Sequence, residues 1–527
     1  MIGGNKMTKK VAVIGAGVAG LASAIRLQHA GYEVEIYEKE AIAGGKMHRI
    51  EKDGFQFDLG PSIVMMPELY REIFELAGRN PDDYIPMERL DPMYSVFFGS
   101  GKQGYHEVSS DLVELMKTFE HASEKDAEGF LKYLQLIYER FMVAKNHFLQ
   151  RPFRNKRDFY NPSTLYQALK LKTFDSADNF ISKYVKNEQL KQMISFQTLY
   201  IGVSPYNGPS LYSMIPMIEF FYGIWFIKGG MYTMAKSMER LFLELGGKVF
   251  YQSSVEEIII KNQVATGIKV NGKEIPADKV ICNADFPYAM KNLVKEDKAK
   301  GKYTDKKIDS MDYSCSCFIM YLGMNKKYEE LKTAHSFFFG EELKKNLDDI
   351  FAGEKLVNPS FYVYTASKLD PTLAPEGKDG LYILVPVSDL STAKYEWTDE
   401  TISYYRSQVL QTLSQVEGLA EIEEDIISET YMTPVDFAEK FNAYNGACFG
   451  LRPTLTQSNH LRPQSKAKNC ENLYFTGSST HPGAGVPIVL LSAKIASDEL
   501  ILDDSVSMKA TKAQTVHSAG GVANEGS

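Results

Sequence analysis

Cysteine is scarce in this chain. Five are spread over 527 residues, Cys282, Cys315, Cys317, Cys448 and Cys470, and none stands in a Cys-x-x-Cys pair. With nine scattered histidines they offer no ligand spacing for a metal, and reduced cytoplasmic thiols are the plain expectation. Positive charge is short as well: the net charge of −8 excludes the extended basic face that general nucleic-acid binding requires. Long uninterrupted apolar runs are missing. Leu211–Ile227 comes nearest, but it contains Pro216, Glu219 and Gly223 and falls short of the ~20 residues of a spanning helix. It reads as a buried or interfacial segment. No secretory signal is visible, because the run Val11–Ala24 is full of glycine and Arg26 follows it.

What the chain does have is ordinary globular composition and many rings. Hydrophobic residues make up 44% and charged residues 24%, which suits a folded protein. The length exceeds what one core serves and predicts two or three domains. Thirty-one tyrosines and 30 phenylalanines stand against two tryptophans, enough rings to fill cores and line a pocket.

The first chemistry-bearing pattern is Gly15-Ala16-Gly17-Val18-Ala19-Gly20. The apolar run Val11-Ala12-Val13-Ile14 before it reads as a buried parallel strand, and Leu21, Ala24 and Ile25 after it fall at helical spacing. Val34–Tyr37 reads as the second strand of a β-α-β unit. In such a unit Gly15 makes the tight turn, Gly17 lets the backbone approach a pyrophosphate, and Gly20 lets helix and strand pack closely. The helix N-terminus supplies free N–H groups to the phosphates, and Glu38, about 20 residues on, suits a ribose hydroxyl. An adenine dinucleotide is expected here, with NAD and FAD both open on this motif alone.

Further strands are expected at Val255–Ile260, at Val264–Val270 before the hairpin turn Asn271-Gly272, and at Lys279–Cys282. Ser314–Asn325, Ser360–Ala366, Gly380–Val387 and Asn472–Gly477 also read as strands. Pro67 to about Asn187 reads as largely helical, Ile488–Leu502 as a helix, and Asp503–Ser527 as a disordered tail. Between Lys145 and Lys172 seven basic residues meet one acid, Asp158, with aromatic residues among them. Two readings are open for that stretch, an anionic membrane surface or a solvated helix face over an ordinary core.

Gly44-Gly45-Lys46 followed by Phe57–Pro61 resembles the extension found in FAD enzymes of the amine oxidase and phytoene desaturase superfamily. Asn472–Lys494, with Gly483-Ala484-Gly485 and Val486-Pro487, resembles the C-terminal motif of the bacterial carotenoid (phytoene) desaturases. Gly229-Gly230-Met231 and Ala284-Asp285 extend the likeness over most of residues 7–503. Phe196–Gly202, Gly208–Ser213 and Pro216–Glu219 resemble the branch acting on thirty-carbon substrates such as 4,4'-diapophytoene. Amine oxidases of the superfamily carry an acidic residue soon after the closing glycine, whereas Ser478 and Ser479 stand here.

The resemblance implies an α/β protein: a Rossmann-type FAD-binding domain, an interleaved substrate domain and a helical membrane-facing part. The implied division is 7–85, 228–295 and 440–503 for FAD, 86–227 for a helical membrane-associated region, 296–439 for the substrate domain, and 504–527 for the tail. FAD is the implied cofactor, on Gly15, Gly17, Gly20, Glu38, Gly44, Gly45, Lys46, Gly60, Pro61, Val255, Gly477 and Val486. The implied substrate is a long apolar isoprenoid, desaturated by hydride loss to flavin and then proton loss. The implied location is peripheral (monotopic), on the cytoplasmic side of the cell membrane. His481 and Glu219 are the candidate catalytic residues, each against an alternative: a structural histidine, and a partly exposed or paired carboxylate. A terminal-methyl oxidase, a forty-carbon phytoene desaturase and a flavin-dependent isomerase remain alternatives. A non-catalytic carrier would not need the intact nucleotide glycines.

Overall fold

A computed structural model describes residues 8–149 and 175–520, with Pro152, Asp158, Tyr160, Pro162 and Tyr166 between them. The basic residues Arg151, Arg154, Lys156, Arg157, Lys170 and Lys172 lie outside the described residues.

The glycine motif sits where its spacing predicts. β1 (Lys10–Ile14) leads through Gly15 and Gly17 into helix α1 (Val18–His29), and β2 (Glu33–Tyr37) returns beside β1. With β3 (Lys248–Phe250), β4 (Lys279–Cys282) and β5 (Leu473–Phe475) they form one sheet in the order β5-β4-β1-β2-β3, all pairs parallel. Val11, Ala12 and Val13 are fully buried, as a parallel strand covered on both faces requires. A methyl group at Gly20 would stand 2.1 Å from the Gly15 carbonyl oxygen, so only glycine lets α1 lie this close to the turn. The last helix, α2 (Val486–Gly520), shares one hydrophobic cluster with α1 through Leu490, Ala493 and Leu500. It runs to Gly520, past Leu502, where the sequence reading ended it. Residues 503–519 lack glycine and proline, so no helix breaker stands before Gly520 where the sequence reading expected a disordered tail.

A three-stranded antiparallel sheet, Val255–Lys261, Val264–Val270 and Lys273–Pro276, carries the Asn271-Gly272 turn where expected. The larger sheet has seven strands. Its order is Ile426–Met432, Ser316–Met324, Gly380–Val387, Phe361–Tyr364, His335–Phe338, Tyr94–Phe97 and Tyr105–Val108. All nine residues of Ser316–Met324 are buried, so the sheet is covered on both faces at this strand.

Here the structure corrects the expectation of a helical stretch from Pro67 to Asn187. Met87–Leu90, Tyr94–Phe97 and Tyr105–Val108 are strands, and the last two complete the seven-stranded sheet. Each is four residues long, too short for period-two alternation to stand out. The helices Leu112–Ala122 and Glu124–Ala144 do follow. Leu211–Ile227 divides into the end of a short 3-10 turn, the helix Met214–Tyr222 and the strand Ile224–Ile227. Among the described residues no helix is long and apolar enough to cross a membrane.

Candidate active site

A cavity of about 1050 Å³ begins at the C-terminal ends of β1 and β2 and continues between the seven-stranded sheet and the helices. Its first part is a cradle of backbone. Gly17 caps α1 without any side-chain cap, and Gly17, Val18 and Ala19 face the cavity, leaving helix N–H groups for an anion. Glu38 Oε2 accepts from the Ala16 N–H at 2.7 Å, and its Oε1 accepts from the Glu40 N–H at 2.9 Å. The Gly44 N–H donates to the Ala16 carbonyl at 3.0 Å, which lays the double glycine against the same turn.

The cradle continues through segments far apart in sequence. Gly60 and Pro61 are held from behind, with Tyr382 Oη donating to the Gly60 carbonyl at 2.9 Å and Tyr321 Oη to that of Leu59 at 2.6 Å. The loop after β5 is held by Arg462, which is 1% exposed and donates to the carbonyls of Leu451, Gln457, Ser478 and Thr480. Burial pushes that guanidinium down to about 10. Ser479 Oγ donates to Asp285 at 2.5 Å, tying the same loop to the end of β4.

Of the twelve residues expected to hold a dinucleotide, all but Gly20 line this one cavity. Gly20 acts beneath it, in the contact of α1 with Gly15. Lys46 lines the wall with its amine already donating to the Cys448 carbonyl at 2.7 Å. A methyl group at Gly483 would meet nothing within 4 Å, so glycine there leaves open space where the resemblance puts the flavin ring. Uncapped N–H groups, a carboxylate at the end of β2 and this open loop together fit FAD.

Beyond the cradle the wall turns apolar. Phe337, Phe339 and Leu384 come from the sheet, and Phe148, Met214 and Ile218 from the helices opposite. The sequence reading expected three strands of that sheet, at Ser314–Asn325, Ser360–Ala366 and Gly380–Val387, but not that they form one side of a chamber. It also missed Asn283, whose amide lies 2.7 Å from where a Gly17 methyl would stand. The signal was its position directly after β4. Cys315, Cys317 and Cys448 line the cavity as free thiols, and among the described residues no side-chain group could hold a metal ion.

The two candidate catalytic residues lie behind the wall, not on it. His481 is 2% exposed and Glu219 is fully buried, and neither lines the cavity. Glu219 is not partly exposed, but it is paired, by hydrogen bonds rather than by a cation. Its Oε2 accepts from Tyr94 Oη at 3.1 Å and Gln197 Nε2 at 3.0 Å, and no cation pairs with it among the described residues. Burial pushes this carboxyl up to about 8, with Tyr94, Gln197 and Tyr200 as its polar neighbours. Of these neighbours Tyr200 does line the cavity.

The model of the flavin containing amine oxidoreductases matches residues 18–501. The chain belongs to that family. Its cofactor is therefore FAD, and the protein is a flavin-dependent oxidoreductase. Within this family, the chain is 44% identical over 496 residues to a 4,4'-diapophytoene desaturase (4,4'-diaponeurosporene-forming) of Staphylococcus haemolyticus strain JCSC1435. The match covers 94% of this chain and 99% of that relative. A protein of the same name from Staphylococcus aureus strain Newman is 44% identical over 498 residues, with the same coverage. Among solved structures, putrescine oxidase bound to putrescine matches at a TM-score of 0.59 and 14% identity, over 94% of this chain and 99% of that one. An oxidoreductase from Methanosarcina mazei matches at 0.59 and 18%, over 92% and 99%. These two likenesses carry the family's fold.

Proposed function

We propose that this flavoenzyme desaturates 4,4'-diapophytoene to more conjugated thirty-carbon carotenoids such as 4,4'-diaponeurosporene. The observation that carries the reading is the apolar chamber continuous with the nucleotide cradle. It joins a cofactor site to a space suited to a ligand with no polar groups, and the desaturase relatives supply the substrate.

Such a substrate offers nothing to hydrogen-bond, so affinity comes from burial, at about 0.8 kcal/mol per methylene-sized unit. About twenty such units offset even the upper end of an association cost of roughly 4–15 kcal/mol. When bound, FAD supplies the acceptor for a hydride removed from a saturated carbon beside the conjugated segment. The protein's residues do the remainder. Gly15, Gly17, Glu38, Gly44, Gly45, Lys46, Gly60, Pro61, Val255, Gly477 and Val486 hold and orient the cofactor, with Gly20 fixing the helix beneath. Phe337, Phe339 and their neighbours hold the polyene and exclude water. Glu219, once ionised, favours the allylic cation electrostatically from behind the cavity wall. His481 supports the loop that ends at Val486.

We also propose that the chamber is filled from a membrane surface, with the protein peripheral on its cytoplasmic face. Tyr138, Met142 and Phe221 support this. They are exposed on the helices whose other faces line the chamber, and the rings of Tyr138 and Phe221 lie 5.6 Å apart.

The test is to incubate purified protein, FAD and liposomes carrying 4,4'-diapophytoene. Stepwise red shifts in absorbance are expected. An aldehyde formed from 4,4'-diaponeurosporene, with no change in 4,4'-diapophytoene, would instead indicate the terminal-methyl oxidase.

A further inference from the structure

Ser62 stands next to Pro61, where the cradle meets the apolar chamber, and both Ser62 and Tyr362 line the wall there. Ser62 Oγ lies 2.8 Å from Tyr362 Oη, and Tyr362 Oη lies 2.6 Å from Nδ1 of His335. His335 does not reach the cavity and is fully buried. The two strands that carry Tyr362 and His335 are paired so that Tyr362 opposes Phe337 and Tyr364 opposes His335. Tyr362 and His335 are therefore diagonal neighbours on one face of the sheet. The imidazole is clamped in plane, stacked on Tyr364 at 4.7 Å with 5° between the rings.

Packing alone does not call for this arrangement. A buried imidazole in an aromatic stack could be replaced by a phenyl ring at no polar cost, yet its Nε2 is buried without a hydrogen-bond partner. A relay from the cavity needs one of the two arrangements these contacts admit, with Tyr362 donating to Nδ1 and the ring carrying its own proton on Nε2. Tyr362 Oη then accepts from Ser62, and the lone pairs of Ser62 Oγ form the cavity end of a directed chain.

We propose that Ser62, Tyr362 and His335 form the proton acceptor of the reaction, with Ser62 Oγ taking the proton that the substrate cation loses. This rests on the desaturase reading. The C–H bond beside the cationic carbon breaks, and its electron pair becomes the second bond of the new double bond. The proton lands on Ser62 Oγ, the Ser62 proton passes to Tyr362 Oη, and the Tyr362 proton passes to Nδ1. The positive charge that leaves the substrate thus ends on the imidazole, held away from the cavity. His335 is a weak base, pushed down to about 3 by burial. A carbocation is a far stronger acid, so the transfer runs downhill, and the weak base then returns the proton through Tyr362 and Ser62 to water that enters the cavity when product leaves, which resets the chain.

The experiment uses purified, FAD-loaded Tyr362→Phe, His335→Gln and Ser62→Ala variants, their flavin spectra and melting temperatures measured first. Each is reacted once, without oxygen, with 4,4'-diapophytoene and with the same substrate deuterated at the carbon that loses the proton. Tyr362→Phe should slow product formation by roughly 100-fold with FAD still bound. It should also raise the isotope effect, because proton loss becomes limiting, and a merely structural defect would not do so. The double variant Tyr362→Phe/His335→Gln should be no slower than the worse single one, as members of one chain require. If the buried variants lose FAD, Ser62→Ala at the wall carries the same test. An FAD-loaded variant within about twofold of native rate, or one with an unchanged isotope effect, overturns the relay. If the native protein itself forms no product, the desaturase reading fails instead.

Discussion

The carboxylate of Glu38 accepts a hydrogen bond from the Ala16 N–H at 2.7 Å, which pins the acid that follows β2 against the turn that follows β1. It holds the acid at the edge of the cavity before any ligand arrives. Glu38→Ala should therefore weaken FAD binding roughly 10- to 100-fold, the worth of a charged hydrogen bond plus the lost anchor. Titration of the apoprotein followed by flavin fluorescence measures this. Native-like affinity would remove Glu38 from the cofactor site.

Gly20→Ala should act on the fold before it acts on the cofactor. The added methyl would sit 2.1 Å from the Gly15 carbonyl oxygen and force α1 off the turn. A cost of about 1–3 kcal/mol is expected for such overpacking. It should appear as a lower melting temperature together with loss of bound FAD. A variant that melts like the native chain would show that α1 can shift without cost.

Glu219 gives a pH signature of known sign. Its carboxyl is raised from 4.5 to about 8 in the folded chain. At more acid pH it is protonated whether the chain is folded or not and costs nothing. As pH rises from about 4.5 to about 8, the unfolded chain ionises there and the folded chain resists, so stability falls. Glu219→Gln removes that loss. The variant should melt higher than the native protein at neutral pH, by a margin that widens toward pH 8 and closes in acid. In turnover the order reverses: the native rate should rise as Glu219 ionises, and the glutamine variant should show neither the rise nor the full rate. Parallel pH profiles for the two proteins would take Glu219 out of the reaction.

The membrane proposal rests on exposed rings and is tested there. Tyr138→Asp with Phe221→Asp should reduce sedimentation with anionic liposomes while FAD content stays unchanged, because neither residue lines the cavity. Undiminished sedimentation would place the contact elsewhere.

How much of this could be read from the sequence depended on how local each signal was. The β-α-β unit was legible because Val11–Ile14, the three glycines, Leu21, Ala24, Ile25 and Glu38 all fall within one contiguous stretch. The Asn271-Gly272 hairpin was legible for the same reason. The seven-stranded sheet was only partly so. Ser316–Met324 and Gly380–Val387 are long and apolar, but Tyr94–Phe97 pairs in parallel with His335–Phe338, more than two hundred residues away. No periodicity in either strand announces such a partner. Glu219 was visible as an acid in an apolar run, but Tyr94, which bonds it, comes from that same distant sheet. Ser62, Tyr362 and His335 are ordinary residues in sequence, and only the sheet register brings the last two together.

The most direct test of the desaturase reading is one anaerobic turnover. Purified protein with FAD fully bound is mixed with 4,4'-diapophytoene, and the flavin and polyene absorbance bands are followed together. The desaturase reading predicts that the oxidised-flavin band bleaches as a longer polyene chromophore appears, one flavin reduced for each new double bond. A flavin that stays oxidised, with the polyene spectrum unchanged, would contradict it.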